Sequence, residues 1–223
     1  GRIPPAHATV ASAARPCYAA PMRALLQHPR VYEAFQRALG AAQGRRRLLD
    51  GPADLRPGMS LLDVGCGPGG LLTELPDGVR YVGIDGDARY IDAARAAFGS
   101  RGVFVHGLIA PGWQAPAHGP FDRIVALGLL HHLDDPSAHA LLGALASVLA
   151  PGGRVLTLDP VIYDGQAAVR RRIILADRGE HIRDQAGYEA LLRPHFDSAT
   201  VERREDLLRI PYSHCVMVGH RAA

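Results

Sequence analysis

The chain has 223 residues, of which 48% are hydrophobic and 21% charged, and this balance predicts one globular domain with a sizeable core. The net charge of only +3 argues against a nucleic-acid partner. All 25 basic residues are arginines, which indicates a GC-rich, bacterial-type genome and says little about partners. No apolar run approaches the ~20 residues that span a bilayer, and the first residues lack a signal-peptide pattern, so we expect a cytoplasmic protein.

The segment before the first predicted strand divides into two parts. Residues 1–21 are rich in Ala and Pro and form an extension, with Met22 as a candidate initiator. Helical patterning begins near Pro21 and resumes at about 44–50. Residues 22–54 are therefore predicted to form a helical cap over the ligand end of a core that spans residues 55–160.

A predicted strand at 61–64 runs into four glycines within the six positions 65–70, and a helical stretch at 71–75 follows. This arrangement brings bare backbone close to a cofactor, and side chains at Gly65 and Gly67 would block the approach. The alternative is an ordinary tight turn, which rarely needs so many glycines. The glycines also satisfy the G-x-G-x-x-G dinucleotide spacing, which alone is a weak signal.

Two acidic residues flank this turn in the predicted sheet. Asp85 ends the second predicted strand, about 20 residues after Gly65, where a carboxylate accepts hydrogen bonds from ribose hydroxyls. Its alternative role is to cap the helix predicted at 87–98, and Asp87 suits that role better. Asp63 lies inside an apolar strand, so it needs a partner, either the loop amides or an amino group of the cofactor.

A pair of histidines, His131 and His132, follows the fourth predicted strand at 121–127. Ligands of open α/β sheets bind beyond the carboxyl ends of the strands, and a neutral imidazole is suited to take a proton near pH 7. We expect one histidine to face the pocket and the other to pack. A metal site with Asp134 and Asp135 is a weaker alternative, and we expect no metal.

The remaining elements complete an α/β pattern. A third strand at 103–106 precedes a loop at 107–120 that holds Trp113. A helix at 137–149 ends at a Pro-Gly-Gly turn, and a fifth strand covers 154–159. Strands that alternate with helices at this spacing predict a parallel sheet with helices on both faces.

After Pro160 the pattern changes. Helices are predicted at 164–176 and 185–192, within an insertion at 160–195 on the substrate side. Two strands within 196–220 are predicted to pair as an antiparallel closing hairpin.

Two features suggest no additional site. The runs of three arginines at 45–47 and 170–172 are interpreted as solvated helix faces rather than a nucleic-acid patch. The three cysteines, Cys17, Cys66 and Cys215, are far apart and support neither a zinc site nor a disulfide framework.

Four motifs together resemble class I S-adenosylmethionine-dependent methyltransferases, most closely the small-molecule enzymes of ubiquinone and menaquinone biosynthesis. The resemblance covers residues 55–160. The motifs are Asp63-Val64-Gly65-Cys66-Gly67-Pro68-Gly69-Gly70, Phe121-Asp122-Arg123-Ile124-Val125, Leu130-His131-His132-Leu133 and Leu149-Ala150-Pro151-Gly152-Gly153-Arg154.

The resemblance implies a Rossmann-like, seven-stranded, mostly parallel sheet with a C-terminal antiparallel hairpin. It implies S-adenosylmethionine as the cofactor and S-adenosylhomocysteine as the product. The turn backbone would hold the methionine portion, Asp85 the ribose, and Leu127 would border the cofactor. The implied cofactor site comprises Asp63, Gly65, Cys66, Gly67, Asp85, Gly86, Leu127 and Gly128. Where the family often has an acidic residue near the adenine, this chain reads Gly107-Leu108-Ile109, so the adenine contacts stay unassigned.

Methyl transfer to a small molecule is the activity that this resemblance implies. A hydroxyl acceptor needs a base, so we predict His131 or His132 in that role, with Asp159 as orienter or alternate base. A nitrogen or carbon acceptor would need less, and the histidine would then orient the substrate.

Residues beyond 160 are predicted to shape the acceptor pocket. The candidates are Tyr163, His181, Arg183, Tyr212 and His214. Arginines there could grip an anion, although Asp–Arg pairing is favoured for 177–178 and 183–184. A homodimer is compatible with the sequence.

The alternatives are a cofactor-binding protein of the same fold without methyl transfer, such as a cyclase or scaffold, and an RNA or protein methyltransferase. A nicotinamide dehydrogenase fits the later motifs poorly.

Overall fold

The computed structural model describes residues 38–109, 119–176 and 179–223. Within these ranges the chain forms seven strands and five α-helices. The strands are β1 Ser60–Val64, β2 Arg80–Asp85, β3 Gly102–His106, β4 Phe121–Leu127, β5 Leu149–Pro160, β6 Ser198–Arg204 and β7 His214–His220. The helices are α1 Ala41–Asp50, α2 Ala88–Phe98, α3 Asp135–Ser147, α4 Ala168–Leu175 and α5 Gln185–Leu192.

All seven strands form one sheet in the order β3-β2-β1-β4-β5-β7-β6. The pairs from β3 to β5 are parallel, whereas β7 runs antiparallel to both β5 and β6. This confirms the predicted mostly parallel sheet with a C-terminal antiparallel hairpin. Every residue of β1 is buried, as expected for a central parallel strand that is covered on both faces.

Two hydrophobic clusters cover the two faces of the sheet. Side chains such as Leu62 and Val64 pack with α3 and α5, and the alternate residue Leu61 packs with α1 and α2. Alternation along a strand directs successive side chains to opposite faces, so the sheet is the middle of three layers. Because parallel strands end at one edge, the segments after β1, β2, β4 and β5 all meet there.

Three of the differences from the predicted boundaries have a local cause. The stretch predicted as a helix at 71–75 is a single 3-10 turn, Gly70–Thr73, because Pro76 disfavours helical backbone in the residue before it. Strand β5 begins at Leu149 rather than 154, since Leu149 pairs with Phe121 before a shift in register. Helix α4 is shorter than 164–176, because Gly165 has a φ of +77°.

The arginine runs are only partly solvated. Arg46, Arg171 and Arg172 are exposed, as expected, whereas Arg45 and Arg170 make ion pairs with Glu74 and Glu205.

Several predicted features lie outside the described residues. They are residues 1–37 with Cys17 and Met22, Trp113, and the pair at 177–178. Across the three described ranges, no helix is long and apolar enough to cross a membrane.

Candidate active site

The glycine turn after β1 presents bare backbone to an open space. Gly65 and Gly67 have φ values of +74° and +55°, in the left-handed region that favours glycine. The N–H groups of Gly65 and Cys66 donate to the Ile84 carbonyl at 2.8 and 3.1 Å, which ties the turn to β2. Among the described residues, a Cβ added to Gly67 would meet nothing within 4 Å, and one on Gly65 only Leu129 at 3.9 Å. The turn therefore leaves room for a ligand against its backbone.

This space belongs to a cleft of about 270 Å³ between the turn and α1. Five predicted cofactor residues line it: Asp63, Gly65, Cys66, Gly67 and Leu127. Ala42 and Arg45 of α1 form part of the opposite wall, together with Glu74. The cap segment that the structure describes thus borders the predicted cofactor site.

Asp85 is oriented by two backbone donors at the end of β2. Its Oδ2 accepts from the N–H of Gly67 at 2.9 Å, and its Oδ1 accepts from the N–H of Asp87 at 2.8 Å. The side chain is half-buried, and each carboxylate oxygen keeps a lone pair for another donor. Asp87 caps α2 by accepting from the N–H of Arg89, as the sequence predicted. Asp85 thus joins the glycine turn to β2 and is positioned to accept from ligand hydroxyls.

Beside Asp85, Gly86 lies under an apolar side chain. Leu108 is 73% exposed, and a Cβ on Gly86 would lie 2.7 Å from its Cδ2. The ring of His106 hydrogen-bonds through Nε2 to the Gly86 carbonyl at 3.1 Å. Leu108 therefore lies where the methyltransferases that this sequence resembles often have an acidic residue.

Asp63 finds its partner in a side chain rather than in the loop amides. The hydroxyl of Tyr81 donates to its Oδ2 at 2.7 Å, and both residues are buried. Burial raises the pKa of Asp63 from 3.8 to about 7, against the opposing effects of the Tyr81 hydrogen bond and of Arg45. Asp63 is therefore an acid on the cleft wall whose charge changes near neutral pH.

Arg45 lines the cleft and is not among the residues that the sequence analysis predicted there. Its Nε and Nη2 donate to the two carboxylate oxygens of Glu74 at 2.8 and 2.5 Å, in the fork geometry of a strong ion pair. Arg45 follows the buried Ala41 by one turn and precedes the buried Leu49 by one turn. This i, i+4 spacing is the signal that distinguishes it from Arg46 and Arg47.

A histidine–aspartate pair lies after β4, just beyond Leu127 of the cleft lining. Nδ1 of His131 is 2.8 Å from Oδ1 of Asp159, which also accepts from the backbone N–H of His131 at 3.1 Å. A Cβ on Gly128 would lie 3.8 Å from Cε1 of His131, so the imidazole contacts the residue that follows Leu127. The backbone of Gly128, with φ of +71°, donates to the Leu158 carbonyl. These contacts bring Leu127, Gly128, His131 and Asp159 together.

The pair is buried, whereas the second histidine is not. His131 is 4% exposed and Asp159 is fully buried, whereas His132 is exposed, with its ring centroid 4.0 Å from that of His131. Within the described part of the chain, Oδ2 of Asp159 has no hydrogen-bond partner. A buried carboxylate oxygen in that state is uncommon in a purely structural pair.

Four of the five predicted substrate residues lie in three different places. The backbone N–H of His181 donates to the His131 carbonyl at 3.0 Å. Tyr212 and His214 are buried with ring centroids 4.7 Å apart, and His214 lies opposite Pro160 at the carboxyl edge of the sheet. Tyr163 donates its hydroxyl to Glu205.

The side chain of Arg183 binds other groups of the protein. Its guanidinium pairs with Asp135 rather than with Asp184, which instead caps α5. It also donates to three backbone carbonyls. The geometry therefore gives no support to its predicted role as a grip for substrate.

The comparison with protein families identifies the family to which this chain belongs. The methyltransferase domain family matches residues 32–204 of the 223. The chain belongs to this family. The predicted membership of the S-adenosylmethionine-dependent methyltransferases is thereby confirmed, and with it S-adenosylmethionine as the family's cofactor.

Curated relatives of this methyltransferase domain include two bacterial proteins named ubiquinone biosynthesis O-methyltransferase. That of Xanthomonas axonopodis pv. citri is 36% identical over 108 residues, covering 46% of this chain and 44% of the relative. That of Xylella fastidiosa is 37% identical over 102 residues, covering 44% of this chain and 40% of the relative. The chain thus spans less than half the length of these relatives.

Solved structures share the fold at low sequence identity. The pyocyanin biosynthetic protein PhzM matches with a TM-score of 0.68 at 21% identity, covering 90% of this chain and 61% of its own. Human N-acetylserotonin methyltransferase in complex with S-adenosylmethionine matches with a TM-score of 0.66 at 17% identity, covering 91% and 59%. These likenesses confirm the predicted Rossmann-like fold of the methyltransferase domain.

Proposed function

We propose that this domain transfers the methyl group of S-adenosylmethionine to a phenolic hydroxyl of a small molecule, with His131 as general base and Asp159 as its orienter. The observation that carries the proposal is the 2.8 Å contact between Nδ1 of His131 and Asp159, beside Gly128, which follows Leu127 of the cleft lining. The names of the curated relatives support oxygen as the acceptor atom.

The residues of the cleft, together with Asp85 beside Gly67, fit S-adenosylmethionine part by part. We assign the ribose to Asp85, the methionine chain to the backbone at Gly65 and Gly67, and the methionine carboxylate to Arg45. A four-residue 3-10 turn follows the glycines, so this site lacks the α-helix N-terminus that favours a diphosphate. A cofactor without phosphate suits such a cleft. When bound, it supplies an electrophilic methyl group on a sulfonium.

The histidine pair is arranged to accept a proton. As a carboxylate, Asp159 can only accept hydrogen bonds, which assigns the ring proton of His131 to Nδ1 and leaves the lone pair on Nε2. We propose that Nε2 takes the acceptor's hydroxyl proton. Asp159 then stabilises the imidazolium that results, and its second buried oxygen adds to the negative potential there.

Imidazole as the base favours a phenolic acceptor over an aliphatic alcohol. An imidazole has a pKa of ~6.5 and a phenol of ~10, so proton transfer between them is far less uphill than from an aliphatic alcohol. The exposed segments around Tyr163 and the buried rings of Tyr212 and His214 lie at the same edge of the sheet and are proposed to border the acceptor.

The proposal is tested by incubating the protein with S-adenosylmethionine and a panel of phenols, catechols, amines and enolisable ketones. We expect equal amounts of S-adenosylhomocysteine and an O-methylated phenol, identified by mass spectrometry and NMR. Methylation confined to nitrogen or carbon would contradict the oxygen assignment, and cofactor binding without any product would favour a scaffold role. We propose the cytoplasm as its location and a homodimer as its assembly, which sedimentation would measure.

A further inference from the structure

We infer that Arg183 is a positioning residue that fixes His131 against Asp159, through the backbone on both sides of that histidine. The inference rests on the proposed role of His131 as the base.

The side chain of Arg183 uses all five of its N–H groups. Nε and Nη2 donate to Oδ1 of Asp135 at 2.9 and 2.6 Å. Nη1 donates to the carbonyls of Leu130 and His181 at 3.1 and 2.9 Å, and Nη2 donates to that of Leu133 at 2.7 Å. Leu130 and Leu133 are the residues that bracket the two histidines, so one guanidinium sets the backbone of this segment.

The backbone of Arg183 is tied to the strand that carries Asp159. Its carbonyl accepts from the N–H of Ile162 at 3.3 Å, and it forms a parallel bridge with Val161, just beyond the end of β5. Arg183 therefore connects the two segments that hold the two partners. A shift of either segment would change the contact between Nδ1 and Oδ1.

Residues 179–181 cover the imidazole next to this connection. A Cβ on Gly179 would lie 2.0 Å from Cδ2 of His131, so the backbone there packs directly against the imidazole. The N–H of His181 donates to the His131 carbonyl at 3.0 Å. Since Arg183 also holds the carbonyl of His181, it secures this cover as well as the histidine segment.

The ion pair alone does not explain this arrangement. The side chain of Asp135 is 70% exposed and that of Arg183 only 11%, and a pair with one such exposed partner contributes little to stability. The three contacts with backbone carbonyls are what fixes the geometry of the segment around His131. A lysine at this position would keep the charge, but its single ammonium cannot reach carbonyls on both sides.

The test uses nitrogen-15 NMR of the full chain, with the His131 signals assigned from a His131→Asn spectrum. In the wild type we expect one tautomer at neutral pH, with Nδ1 protonated and Nε2 unprotonated. We expect Arg183→Gln and Arg183→Lys to move the two ring-nitrogen shifts toward each other as the tautomers mix. Asp135→Asn, which keeps the carbonyl contacts, is the matched control and should retain the wild-type signature.

Turnover adds a second readout on the phenol that the wild type methylates best. We expect kcat to fall ~10- to 100-fold in both Arg183 variants, with the affinity for S-adenosylhomocysteine unchanged. A folded Arg183→Gln or Arg183→Lys protein with the wild-type ring signature would overturn the inference; if the glutamine variant does not fold, the lysine variant decides. If His131→Asn keeps full turnover while the Arg183 variants still mix the tautomers, the proposed base is wrong and the positioning role stands.

Discussion

Three aspartates of this site differ in their chemistry because their surroundings differ. Asp85 is half-buried and accepts from two backbone N–H groups, which orient its carboxylate and leave lone pairs for further donors. Asp63 is buried with one neutral donor, so its charge is disfavoured. Asp159 is buried beside an imidazole that can become a cation. Sequence position alone does not distinguish these roles, because each depends on groups that other elements bring.

The raised pKa of Asp63 predicts a pH dependence of stability. Burial raises that pKa from 3.8 to about 7, so the folded state holds the proton more tightly than the unfolded chain does. The contribution of Asp63 to the free energy of unfolding is therefore largest below pH 4 and is lost as the pH rises to about 7. We expect Asp63→Asn, which stays neutral and can still accept from Tyr81, to gain ~3 kcal/mol relative to the wild type as the pH rises from 5 to 8.

Urea unfolding of both proteins at pH 5, 6, 7 and 8 measures this difference. If the free energies of unfolding of the two proteins changed with pH in the same way, Asp63 would have an ordinary pKa in the folded protein.

Arg45 predicts a selective effect on the amino-acid end of the ligand. We expect Arg45→Met combined with Glu74→Gln, which avoids an unpaired buried carboxylate, to weaken S-adenosylhomocysteine ~10- to 100-fold by loss of a charged hydrogen bond. Calorimetry with 5′-methylthioadenosine, which lacks the carboxylate, should show no such loss.

Arg46→Met is the matched control, since Arg46 is the exposed neighbour on the same helix. Equal losses of affinity for both ligands would mean that Arg45 supports the wall of the cleft and does not bind the carboxylate of S-adenosylhomocysteine.

At the scale of elements, the local signals predicted most of the fold. The glycine turn, the Asp87 cap and the alternation of strands and helices are encoded by neighbouring residues, and the structure contains them. The partners of Asp63 and Arg45 and the contacts of Arg183 were not predicted, because they join segments that are distant in sequence. The prediction of a helical stretch at 71–75 was wrong. The apolar residues there fit a helix, but Pro76 limits the stretch to one turn.

The glycine turn predicts a binding defect that is separable from folding. Gly67→Ala places a methyl group into the open space of the cleft and makes an L residue adopt a φ of +55°, at ~1–2 kcal/mol. Gly58→Ala imposes a comparable strain at φ +86°, with nothing within 4 Å among the described residues and away from the cleft lining. We expect similar losses of stability but a loss of S-adenosylhomocysteine binding only for Gly67→Ala. Equal affinities in calorimetry would mean that the ligand does not approach this turn.

At the scale of the molecule, the two halves of the chain supply the two halves of the site. The cleft lies between α1 and the glycine turn with residues of β1 and β4, whereas Asp159 and the cover over His131 come from β5 and the insertion. Helix α1 also reaches the closing hairpin, since Arg47 pairs with Asp206 and a Cβ on Gly44 would lie 2.4 Å from the Leu207 carbonyl. A ligand in the cleft therefore contacts elements that connect the whole domain.

This arrangement predicts that the cofactor stabilises the entire domain. At 100 times its Kd, a ligand that binds only the folded state adds ~2.7 kcal/mol, which for a domain of this size raises Tm by ~5–10 °C. We expect one cooperative calorimetric transition that shifts upward with S-adenosylhomocysteine. A split transition, or a shift of a minor part of the heat alone, would contradict a single cooperative unit.

The most direct test compares kcat/KM for the best phenolic acceptor in wild type, His131→Asn and His132→Asn, with S-adenosylhomocysteine affinity measured for each. The buried His131 should carry the effect, with kcat/KM ~10²–10⁴-fold lower and cofactor affinity unchanged, whereas the exposed His132 should change the rate little. Full turnover by a folded, cofactor-binding His131→Asn protein would contradict the account.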